Sequence, residues 1–452
     1  MLSGPQKSMK EKTKELGNSN VLFDFYGKRP EMSQLVPLSL QHVLAAIVGV
    51  ITPSMIIAGV CGLTDAEKTM MIQAALIFTA LATFLQLFPL FHKIGAALPV
   101  IMGTSFAYVP TLTAIGGEFG IGAIMGAQII GGIIAMIIGF FIDKIRKVFP
   151  PLVTGTVVFT IGLSLYPTAV NYMAGGASSG NYGHWTNWLV AIITLAIVTF
   201  LNHFTKGFVK LASILIGIIC GYIIAACFGM VDLTAVAQAS VFQMPQIMHF
   251  GIQFDPSSCI AIGLLFAINA IQAIGDFTAT TTGGMDREPT DKELKGAIVG
   301  YGCTNIIGAF LGGLPTASYS QNVGIVTTTK VINRSVLGMS AGILLIAGLV
   351  PKFSALLTTI PQCVLGGATI SVFASIAMTG IKLITSQPMS YRNTSIVGLS
   401  VALGVGVTQA SASLGMFPAW VTTVFGKTPV VIATVTAVFL NLVLPKEKKT
   451  EK

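Results

Sequence analysis

Apolar runs close to twenty residues long recur near 36–60, 69–91, 120–142, 150–170, 187–204, 208–229, 258–282, 296–312, 333–350, 361–382, 394–410 and 428–445. Each can cross a bilayer core of about 30 Å as a helix. Two segments break the pattern: "ALPVIMGTSFAYVP" at 97–110 and "GLPTASYSQNVG" at 313–324. Both start at Leu-Pro and are too short and polar to span as ordinary helices. Six residues beyond Pro99 stand Ser105 and then Phe106; the same step from Pro315 reaches Gln321 and then Asn322. The second segment runs on as "SYSQNVGIVTTTKV", whose amides and hydroxyls would be costly against lipid.

Twelve spans and two broken pieces make two halves of seven segments, and an odd number inverts the second half. A fainter echo agrees: "RKVFPPLVTGTVVFTIG" and "VPKFSALLTTIPQCVLGGATI" both pass from a basic-aromatic stub through proline into a glycine-containing helix. Interrupted segments at matching places in inverted repeats point to a binding site near the midplane. Extended backbone is tolerated there when buried in protein or lining a cavity. The two pieces can pair with each other, and the helices after them would then begin mid-bilayer with N–H groups aimed inward. The alternative, two surface loops, conflicts with the apolar character of "VIMGTSFAYV".

Composition fits an all-α polytopic membrane protein. The 452 residues are 53% hydrophobic and 10% charged, whereas soluble domains carry about a quarter charged residues. The net charge of +9 does not point to nucleic acid, because of where the bases lie. They cluster in the two tails and in alternate loops: Lys144, Arg146 and Lys147; Lys206 and Lys210; Arg287, Lys292 and Lys295; Lys330 and Arg334; Lys382 and Arg392. The opposite loops hold little beyond Lys68, Lys352 and Lys427. This positive-inside bias requires an even number of spans and cytoplasmic ends. The first 34 residues lack an apolar stretch before a cleavage site, so they read as a cytoplasmic tail. Six cysteines form no CxxC pair and no metal-ligand cluster, so neither a metal nor a cofactor is expected.

Of the seventeen acids, Asp276 alone falls well inside an expected span. It is either a functional proton site or a fixed structural acid bonded to backbone or to a hydroxyl such as Thr278. Gln272, four residues earlier, shares its helix face. His42 in the first span reads as a satisfied core histidine holding that span against the eighth, in preference to a proton carrier or ligand. A membrane-embedded enzyme would need clustered His, Cys or carboxylates, and a single intramembrane acid argues against one.

Three ordered blocks now become informative: Gln41-His42, "AIGDFTATT" at 273–281, and Gln321-Asn322-Val323-Gly324 with Thr328 downstream. Through them the chain resembles the nucleobase–ascorbate transporter family, the nucleobase/cation symporters of the uracil and xanthine permease kind. The resemblance runs from about residue 35 to 445. It implies about fourteen segments, with a core domain at 35–142 and 231–352 and a gate domain at 143–230 and 353–445, between tails 1–34 and 446–452. It also implies a plasma-membrane homodimer carrying a nucleobase with a proton or sodium. Gln321 favours xanthine- or urate-type purines over uracil or allantoin. In relatives a Glu usually stands where this chain has Gln272, binding substrate, and many purine members have an Asp where Tyr301 falls. With both replaced, proton symport through Asp276 is the first expectation, and sodium coupling or uniport the next. A carrier of the same architecture for sulfate- or bicarbonate-like anions is a further alternative.

A nucleobase is flat and edged with N–H donors and C=O acceptors. Phe106 offers a stacking platform worth about 1–3 kcal/mol, or is an ordinary packing aromatic. Gln321 offers one acceptor and two donors in a plane, or is a structural amide for the broken backbone. Backbone N–H groups near Phe106, Ala107 and Asn322 would add fixed donors. The Asn322 side chain is expected to brace the site, with Gly324 and Thr328 structural.

Overall fold

The computed structural model describes residues 21–91, 93–141, 150–177, 179–418 and 421–445. The expected tails and the basic cluster Lys144, Arg146 and Lys147 lie largely or wholly outside the described residues. The long helices are α1 (Met32–Val60), α2 (Asp65–Leu87), α3 (Val109–Phe119), α4 (Ile121–Phe140), α5 (Pro151–Met173), α6 (Trp185–Phe204) and α7 (Ser213–Cys227). The same order returns as α8 (Pro256–Gly284), α9 (Asp291–Phe310), α10 (Ser320–Thr329), α11 (Arg334–Leu349), α12 (Gln362–Thr385), α13 (Tyr391–Gln409) and α14 (Pro429–Val443). Strand β1 (Met102–Thr104) precedes α3, and β2 (Thr316–Ser318) precedes α10. Seven of the helices are individually long and apolar enough to cross a membrane; α11 meets the short helix Pro351–Thr358 at an 82° bend.

Matching elements start for the same local reasons. Thr64 and Glu67 close a capping box at the head of α2, and Thr290 and Glu293 do so at the head of α9. Each box satisfies backbone donors that a helix start leaves open. Pro150 and Pro361 cap the starts of α5 and α12, which aligns the proline echo seen in the sequence.

Packing obeys the same exchange of halves. Helix α2 packs on α11, and its counterpart α9 packs on α4; α1 touches α11, and α8 touches α4. Elements α1–α4 and α8–α11 thus form one group, the core. In the other group, the gate, α5 lies along α12, with α6 on α12 and α13 on α5. The chain is a 7+7 inverted repeat.

The broken segments cross at the centre of the core. β1 and β2 pair antiparallel with Met102 opposite Ser318, Gly103 opposite Ala317 and Thr104 opposite Thr316. Beyond the strands, the Tyr319 amide donates to the Ile101 carbonyl (3.0 Å) and the Ser105 amide to the Pro315 carbonyl (3.1 Å). A two-stranded ribbon is marginal in water; here all six strand residues are buried. Each strand is also held by the second helix of its own half. Thr83 Oγ1 accepts from the Met102 amide (3.1 Å), and Asn305 Oδ1 accepts from the Thr316 amide (2.8 Å). The strands also correct the count from the prolines. Phe106 and Ser320 each lie two residues past their strand, so Ser320 is the counterpart of Phe106, and Gln321 that of Ala107.

Candidate functional site

Between the crossing and the gate lies a cavity of about 130 Å³. The core contributes Gly49, Phe106, Ala107, Gln272, Gln321 and the serines 105, 318 and 320; the gate contributes Val158 and Ile161 from α5, and Val372, Ser375, Ile376 and Thr379 from α12. The ring and the carboxamide expected to face each other therefore share one cavity, supplied by opposite halves.

The Phe106 ring is buried and meets Phe373 of α12 edge-on, with centroids 5.0 Å apart. The Ala107 amide is already engaged, donating to Ser105 Oγ at 3.2 Å. Gln321 lies in the first turn of α10, a helix start with no side-chain cap. Its first amides therefore have no intrahelical acceptor. Gln272 stands one turn before Asp276 on α8, and its Oε1 is buried without a hydrogen-bond partner.

Asp276 faces the crossing. Its carboxylate accepts from Ser318 Oγ at 2.5 Å and from Ser320 Oγ at 2.9 Å. The expected Thr278 partner is not used, since Thr278 Oγ1 is buried and unbonded. Strand alternation explains the pair: Ser318 and Ser320 fall on one face and Tyr319 on the other. The Tyr319 hydroxyl crosses back to donate to the Thr104 carbonyl at 2.7 Å.

Asn322 and His42 are each 1% exposed and meet one another. Asn322 Nδ2 lies 3.1 Å from His42 Nδ1 and donates to the His42 carbonyl at 3.0 Å. His42 thus ties α1 to α10; the expectation that it holds the first span against the eighth is corrected. Its partner comes from the broken segment because α10 starts beside α1.

Tyr301 is fully buried outside the cavity lining, with its hydroxyl bonded to that of Tyr108. Its carbonyl accepts from Asn305 Nδ2 at 2.9 Å, linking it to the brace on β2. Gly324 faces open space, and Thr328 is exposed. The gate hydroxyls Ser375 and Thr379, four apart on one face of α12, were not anticipated. Their spacing is visible in the sequence, but nothing local says which face of the helix turns inward.

Two short helices starting from the paired strands at the centre of the core, a cavity at their origin and a second helical group closing it define a membrane carrier. The family model Xan_ur_permease, described as "Permease family", matches residues 33–413, and the chain belongs to that family. It is 35% identical to the xanthine permease of Bacillus subtilis over 435 residues, covering 94% of this chain and 97% of that one. It is 34% identical over 422 residues to the uric acid permease PucJ of the same organism, covering 92% and 93%. The transmembrane domain of a cyanobacterium bicarbonate transporter, BicA, aligns with a TM-score of 0.59 at 17% identity, over 90% of this chain and 98% of that one. That likeness shows a shared fold.

Proposed function

We propose that the protein takes up a purine nucleobase of the xanthine or urate kind by proton symport across the plasma membrane, as a homodimer with both termini cytoplasmic. The observation that carries this reading is the shared cavity of Phe106 and Gln321. A flat ring stacked on Phe106 presents its edge to the carboxamides of Gln321 and Gln272, and the walls α5 and α12 close over its other side. The relatives named for xanthine and uric acid support the substrate class. The core domain comprises 35–142 and 231–352, and the gate domain 143–230 and 353–445.

Coupling is assigned to Asp276. Protonation turns a two-bond acceptor into a donor, which loosens one of the serine contacts that hold β2 and the start of α10. The proton would thereby act on the segment that carries Gln321. Uptake of labelled xanthine into energised vesicles tests both parts. Competition by unlabelled purines is expected; competition by bicarbonate alone would favour the anion-carrier reading that the shared fold permits. In Asp276→Asn, accumulation against a pH gradient is expected to vanish. Undiminished accumulation would remove the proton role, and dependence on sodium would replace it.

A further inference from the structure

The cavity carries no formal charge of its own. Among the described residues, no lysine, arginine, aspartate or glutamate lines it. The titratable groups beside it already hold hydrogen-bond partners: Asp276 has Ser318 and Ser320 of the cavity wall, His42 has Asn322, and the Tyr319 hydroxyl has the Thr104 carbonyl. Two features give the site a polarity. Helices α3 and α10 both begin at the crossing, so the positive ends of two helix dipoles converge there. The Gln272 Oε1 is buried without a partner, which is costly unless a ligand supplies an N–H. The site therefore suits a ligand that holds negative charge and still keeps a donor on its edge.

Resting on the purine reading above, we infer that an oxopurine acidic enough to ionise near neutrality is carried as its monoanion and travels with the Asp276 proton as an electroneutral pair. Loss of one ring proton spreads negative charge over ring nitrogens and carbonyl oxygens, and leaves other N–H groups for Gln272. A neutral carboxamide accepts either charge state, whereas a carboxylate at residue 272 would repel the anion. Asp276 lies one helical turn from Gln272, and its oxygens contact serines that line the same cavity. An anion in the cavity favours the protonated acid, and the protonated acid favours the anion; by linkage the two effects are equal. One positive and one negative charge then cross together.

The experiment uses the full chain in proteoliposomes, with potassium and valinomycin setting the membrane potential. Two labelled purines are compared on the alkaline side of neutrality: xanthine, which ionises near neutrality, and hypoxanthine, which ionises well above it. Xanthine uptake is expected to be indifferent to potential, whereas hypoxanthine, entering neutral with a proton, is driven severalfold by an inside-negative potential. Equilibrium binding adds a second readout. Gln272→Glu is expected to weaken xanthine binding roughly tenfold or more where xanthine is ionised, and to change hypoxanthine binding by the same factor on the acid and the alkaline side of neutrality. Xanthine uptake that responds to potential in either direction overturns the inference, as does wild-type affinity that falls when xanthine ionises, provided hypoxanthine is still bound. Binding of neither purine by the wild type would overturn the underlying purine reading itself.

Discussion

Replacing Gly103 with alanine tests the crossing of the broken segments most directly. A methyl group on Gly103 would sit 2.7 Å from both Cζ and the hydroxyl of Tyr319 and 2.9 Å from Cε2. Carbon atoms in contact prefer about 3.5–4.0 Å, so the ring must withdraw by close to an ångström. Its room is limited, because Gly49 also comes close to this ring: a methyl added there would lie 3.1 Å from the same hydroxyl. That hydroxyl is also anchored to the Thr104 carbonyl. Overpacking costs about 1–3 kcal/mol, and losing the hydroxyl bond adds about 0.5–1.5 kcal/mol. The combined effect is roughly 2–4 kcal/mol, and because Tyr319 is followed directly by Ser320 and Gln321, much of it should appear as misplacement of the carboxamide. Expressed as affinity, 2 kcal/mol is a loss of about 30-fold. Thermal melting of purified protein with and without xanthine, together with equilibrium binding, measures both parts. Gly103→Ala/Tyr319→Ala should recover part of the loss, giving a coupling of about 1–3 kcal/mol in the double-mutant cycle. A Gly103→Ala protein that melts and binds like wild type, or a strictly additive cycle, would refute the account of the crossing.

Asn322→Leu leaves the His42 carbonyl and Nδ1 without their donor, so a melting loss corresponding to about 1–3 kcal/mol is expected; an unchanged melting temperature would show that the pair braces nothing. Tyr301→Phe removes one buried hydroxyl contact, with Tyr108, and should cost about 0.5–1.5 kcal/mol in stability while leaving proton-driven uptake intact; altered coupling would mean that Tyr301 has a part in proton transfer. Lys427 of the gate bonds Glu118 at the end of α3 at 2.6 Å, which joins gate to core. Lys427→Glu should weaken this closure by about 0.2–1 kcal/mol, seen as faster thiol labelling of a cysteine placed at Thr379. Adding Glu118→Lys should restore the wild-type labelling rate, and failure of that swap to rescue would discount the ion pair.

Much of the architecture was legible because span length and interruption are local properties. Twenty apolar residues specify a crossing whatever their neighbours do, and "LPVIMGTSFAYVP" and "LPTASYSQN" betray broken helices through their own composition. Even the repeat leaves a signature in the matching Thr-Asp-x-Glu at 64–67 and 290–293, whose identical capping boxes head α2 and α9 on opposite sides of the bilayer. That Phe106 and Gln321 come together at one cavity was legible for the same reason: each sits beside an interruption. The hold of Asn322 on His42 was not, because its partner belongs to a helix 280 positions away in the chain.

The amino-acid order by itself thus determined where the chain is apolar enough to cross, where it breaks and that its halves mirror one another. Only the tertiary structure decided which hydroxyls hold Asp276, which face of α12 closes the cavity, and that Ser320 rather than Asn322 mirrors Phe106. Those facts depend on the register in which two distant three-residue strands meet. A shift of one residue turns every side chain to the opposite face, and the register is chosen by packing summed over the whole bundle.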